Sequence, residues 1–105
     1  MTDQEKITAS AELIKSHFVL ENIPELDGID SFEDFEVRMS TIIEYYLNND
    51  MNGLLNAFYR MDISEGKFKE ILIQNDPENI ALDLARLVIS REMEKVITRE
   101  KYKGY

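Results

Sequence analysis

Five bulky side chains, Phe32, Phe35, Met39, Ile42 and Tyr46, follow one another at steps of three, four, three and four residues. That spacing falls on one face of an α-helix, whereas a strand would require strict alternation. With Ile43 and Leu47 beside it, the stripe is broad enough to be a core face and predicts a helix over 31–49. Asp30 or Ser31 is its expected cap, since an acid, Glu33 or Asp34, follows each three residues later.

The same period recurs along the chain. Ile7, Ala11, Ile14 and Phe18, widened by Leu13 and Leu20, predict a first helix from Asp3 to about Glu21. The stretch 22–30 holds Pro24 and the Asp27-Gly28 pair and predicts a connector. Asn48-Asn49-Asp50 breaks the second pattern. Asp50 is a suitable cap for a short helix carrying Leu54, Leu55, Phe58 and Met61, though the break also fits a kink. Asp62 with Glu65 offers a cap for a fourth helix that carries Phe68, Ile71 and Leu72 and ends near Gln74. Asp76-Pro77 opens the last, over 77–101, roughly 37 Å long at 1.5 Å per residue. Its first half is apolar on two adjoining faces, Ile80-Leu84-Leu87-Val88 and Leu82-Ala85-Ile89, and should be the most buried element. The second half narrows to Met93, Val96 and Ile97. No segment alternates with period two. The expected architecture is all-α, a single domain over 1–105, a bundle of four or five helices with the second and last as its main packing pair.

Composition then narrows function. The 105 residues carry 12 Lys+Arg against 21 Asp+Glu, a net charge of -9, which repels phosphate backbones and argues against nucleic acid. With no cysteine and one histidine, thiolate metal sites, iron–sulfur ligation and cysteine nucleophiles are excluded, and no cofactor is expected. No apolar run exceeds three residues, where a membrane span needs about 20. The start of the chain has acids and no apolar core, unlike a secretory signal, so a cytoplasmic location is expected.

Seven acids from Glu21 to Glu36 suggest calcium, but the spacing fails. Aligned on Gly28, a calcium loop begins with Ile23 where a carboxylate is needed; aligned on Gly53, it ends on Tyr59 where a bidentate Glu is needed. These acids read as caps and solubilising surface. His17 has no second histidine with which to form a metal site or relay. Glycine-rich phosphate loops and nucleophile elbows are absent, so no catalytic residue and no enzyme are expected.

Three features are candidate contact sites. Arg91, Lys95, Arg99 and Lys103 sit four apart, forming a basic stripe that suits an acidic partner, a phosphate-bearing ligand or the acidic half of a second copy. Favourable charge at a helix C-terminus explains the same stripe without a partner. Tyr59, Arg60 and Asp62 cluster at a helix end, where an Arg60–Asp62 pair would fix the corner or Arg60 would bind a ligand. Met93, Val96 and Ile97 form a narrow apolar stripe, either a seam with a second copy or packing on the first helix. A non-enzymatic interaction or oligomerisation module is the leading expectation. The alternative is a regulatory protein that binds a small molecule or anion through Arg60, Arg91 and Lys95.

Tyr-Arg-Met-Asp-Ile-Ser-Glu at Tyr59–Glu65, together with Leu-Val-Ile-Ser-Arg-Glu-Met-Glu-Lys-Val-Ile-Thr-Arg at Leu87–Arg99, resembles a family of small bacterial helical proteins. The similarity spans 31–99 and leaves the first thirty residues outside it. It implies a bacterial cytoplasmic protein and no catalytic activity.

Overall fold

Capping side chains divide the chain into its helices. The structure, a computed structural model, describes residues 2–18, 24–74 and 76–102. Helix α1 (Asp3–His17) starts in a capping box: the Thr2 hydroxyl accepts from the Glu5 amide, and the Glu5 carboxylate accepts from the Thr2 amide. It ends at His17, short of the expected Glu21, because Phe18 turns to an extended conformation and stacks its ring 5.2 Å from that of Tyr46. Residues 19–21, with Leu20, lie outside the described residues. A single 3-10 turn, Pro24–Leu26, precedes α2 (Phe32–Asn49), whose cap is Ser31, its hydroxyl accepting from the Asp34 amide at 3.1 Å.

Asp50 turns the break after α2 into two helices rather than a kink. Its amide donates to the Tyr46 carbonyl and closes α2, while its carboxylate accepts from the Gly53 amide at 2.9 Å and opens α3 (Met51–Arg60). Helix α4 (Glu65–Gln74) is capped by Ser64, whose hydroxyl accepts from the Lys67 amide, and not by Asp62. Asp62 is occupied in ending α3. Helix α5 (Pro77–Tyr102) begins with its proline in the first turn, where a missing amide hydrogen costs nothing.

The five helices of the described residues form an all-α bundle with no strand among them. Its most extensive contact is α2 on α5, followed by α1 on α5. Phe35, Met39 and Ile43 from α2 meet Leu84, Ala85 and Val88 from α5 in the fully buried centre. Phe58 and Phe68 cross edge to face at 5.2 Å and fasten α4 to α3. The acid-rich connector is held down as well. Its Leu26 and Ile29 are buried, Arg38 donates to the Glu25, Asp27 and Gly28 carbonyls, and Lys15 pairs with Asp27. At 26 residues, α5 is about 39 Å long and matches most of the 42 Å long axis of the molecule. Among the described residues, no helix is long and apolar enough to cross a membrane.

Candidate functional site

At the end of α3 the chain makes a Schellman turn. The Ile63 amide donates to the Phe58 carbonyl at 3.0 Å and the Asp62 amide to the Tyr59 carbonyl at 3.1 Å. This motif needs a left-handed residue, and Asp62 supplies it with φ of 59°. Two cations from α5 cover the exposed helix end: Lys95 Nζ donates to the Met61 carbonyl at 2.9 Å and Arg91 Nε to the same oxygen at 3.3 Å. Positive charge is favourable there because the carbonyls of a helix C-terminus carry partial negative charge. Arg91 also pairs with Asp62 at 3.3 Å and Glu94 at 3.4 Å.

On the other side of Lys95 lies a fully buried acid, Glu92. Its Oε1 is 3.3 Å from His17 Nε2 and accepts from Lys95 Nζ at 3.4 Å; its Oε2 lies 3.3 Å from Lys95 Nζ but accepts no hydrogen bond within the protein. Burial pushes the His17 pKa below the ordinary histidine value. The Glu92 carboxylate opposes this, while the charges of Lys95, Arg60 and Arg99 add to it. His17 is therefore neutral at neutral pH, and a neutral ring meets a carboxylate favourably through Nε2 only when Nε2 carries the proton. Arg60 Nη1 donates to the His17 carbonyl at 3.4 Å, so one guanidinium also satisfies the end of α1.

Of the expected site residues, Arg91, Lys95 and Asp62 come together around the Met61 carbonyl, and Lys95 links them to a second group at His17. Arg60, Lys95 and Arg99 all act on His17, whereas Arg91 faces Asp62 and Glu94. The anticipated Arg60–Asp62 pair does not form, because Asp62 turns to Arg91 and Arg60 to the end of α1. Tyr59 is 87% exposed beside a concavity of about 250 Å³ that includes Leu55, Phe58 and Phe68. Met93 faces α1, its sulfur accepting from the buried Ser10 hydroxyl at 3.6 Å, and Val96 is buried. Of that stripe Ile97 stands out, 47% exposed. Lys103, the last member of the basic stripe, lies outside the described residues.

Between α1 and the end of α5 runs an open groove of about 730 Å³. Ala9, Leu13 and Val96 give it an apolar lining, and Glu12, Arg99, Glu100 and Tyr102 stand along it. Arg99 is one of five arginines. Arg38, Arg86 and Arg91 pair with carboxylates, while Arg60 and Arg99 have no carboxylate partner among the described residues. The sequence carried one unread signal for this region. Glu92 falls in register with Ala85, Val88 and Val96 on the buried face of α5, so an ionisable group was marked for burial by its spacing. No three His, Asp or Glu side chains among the described residues are grouped so as to hold a metal ion. Comparisons with protein-family models, curated proteins and solved structures matched none of them.

Proposed function

We propose that this chain is a non-enzymatic interaction module of the bacterial cytoplasm that assembles with a second copy of itself through the groove beside the basic end of α5. The observation that carries the reading is an open groove with an apolar floor beside Arg99, an arginine that has no carboxylate partner among the described residues, in a chain where acids outnumber Lys and Arg by 21 to 12. A carboxylate on another copy complements that arginine, and apolar side chains complement the floor. Light scattering across protein and salt concentrations tests the proposal. Expected is a mass above the 12.3 kDa of one chain at low salt, falling towards it as salt is raised. One chain's mass under every condition sinks it.

A second reading, a small-anion site, is favoured by Arg60 and Arg99, and disfavoured for Arg91 and Lys95, which are engaged at Met61. Inorganic phosphate at 100 times its dissociation constant would add about 2.7 kcal/mol of stability. An unchanged melting temperature across a phosphate titration rejects this reading.

A further inference from the structure

We infer that the surface seated on the α1–α5 groove is the same groove of a second copy, the two related by a two-fold axis; this rests on the self-association reading above. The last turns of α5, from Val96 to Tyr102, make one wall of the groove, and Ala9 and Leu13 of α1 make the other. A two-fold contact requires a patch that complements itself, because each copy presents the same residues to the other. This patch meets that requirement in charge and in shape.

Arg99 and Glu100 are both exposed and both line the groove, and neither forms an ion pair among the described residues. As consecutive residues of a helix they point to different sides and do not pair with each other. Glu12, the other carboxylate of the groove, is already met by Lys15 at 3.5 Å. The described residues of the groove therefore leave one unmatched charge of each sign. A surface of a single sign would be repelled by one of them, whereas a second copy of the groove matches both. Across the two-fold axis, Arg99 of each copy faces Glu100 of the other, giving two ion pairs per dimer. Among the described residues, Tyr102 is the one exposed large apolar side chain that lines the groove, 62% exposed. Its ring seats on the Leu13 and Val96 floor of the other copy. With knob and seat in one patch, the contact closes at two copies.

Charge reversal tests the arrangement. Arg99→Glu and Glu100→Arg each change an exposed residue, and circular dichroism checks that the variants remain helical. Symmetry applies each change twice, so either variant alone replaces two attractive pairs with two like-charge pairs. In sedimentation velocity at low salt, each alone should associate about tenfold or more weakly than the parent chain. Tyr102→Ser should weaken association as well. An equimolar mixture of the two charge variants should recover a dimer, since each brings the charge that the other lacks. Both reversals in one chain should recover it too. The parent should stop at twice the 12.3 kDa of one chain, however concentrated. A parent that grows beyond two copies, a mixture that remains monomeric, or single variants that associate like a dimeric parent overturn the two-fold arrangement and leave self-association standing. A parent chain that is monomeric throughout removes both.

Discussion

Lys95 holds two helix ends at once: its Nζ donates to the Met61 carbonyl at the end of α3 at 2.9 Å and sits 3.3 Å from the buried Glu92 carboxylate that faces His17 at the end of α1. One ammonium group therefore couples α1, α3 and α5. Its side chain is only 21% exposed, so solvent screens these contacts less than those of a surface pair.

Removing the cation strands the acid. Lys95→Met should cost about 2–4 kcal/mol in urea unfolding, because an uncompensated carboxylate is left in the core. Adding Glu92→Met should recover most of that loss, since an apolar side chain of similar length removes the charge that needed a partner. If the double variant is as unstable as the single one, Lys95 acts through the Met61 carbonyl and not through Glu92.

The His17 ring sets a pH dependence. Its folded-state pKa lies below the unfolded value of 6.5, so the unfolded chain binds the proton more tightly. The contribution is complete above pH 6.5 and is lost as pH falls from there towards the folded-state pKa. Melting temperature should fall as pH drops below about 6.5, and His17→Gln should flatten that slope. An equal slope in both proteins would remove His17 as its source.

Asp62 adopts a left-handed conformation that glycine enters without cost. Asp62→Gly loses an exposed ion pair with Arg91, worth at most about 1 kcal/mol, and gains a comparable amount from relieved backbone strain. It should unfold at or slightly above the urea midpoint of the parent chain. Asp62→Val should lose about 1–2 kcal/mol, because a β-branched residue is poorly tolerated at this φ.

Gly53→Ala should destabilise the protein, against the usual gain of glycine-to-alanine changes in helices. A methyl group there would collide with the Asp50 carboxylate that caps α3 and come within 3.0 Å of the Tyr46 ring. Displacing the cap costs about 1 kcal/mol. Thermal unfolding of the variant checks the sign.

The parts of the fold legible in the sequence were those fixed by neighbours a few residues apart. Ser31 and Asp50 as caps, Pro77 at the start of α5 and the α2 stripe all depend on contacts within one or two turns. The misreadings involve competition between such local options. Asp62 and Ser64 were both able to cap α4, and the Schellman turn at Phe58–Ile63 claimed Asp62. Arg60 was near Asp62 in sequence, yet Arg91, 29 residues further along, took the aspartate.

By itself the sequence determined that this chain is a helical bundle with a long final helix, because hydrophobic period and capping chemistry are properties of local spacing. Tertiary structure alone decided that Glu92 faces His17 and Lys95, that Met93 faces α1 while Ile97 remains exposed, and that Arg99 stands at a groove. Those outcomes depend on how helices cross, which brings together side chains as far apart as Ser10 and Met93. Helical period identifies a face, while the partner of that face is set by packing across the whole core.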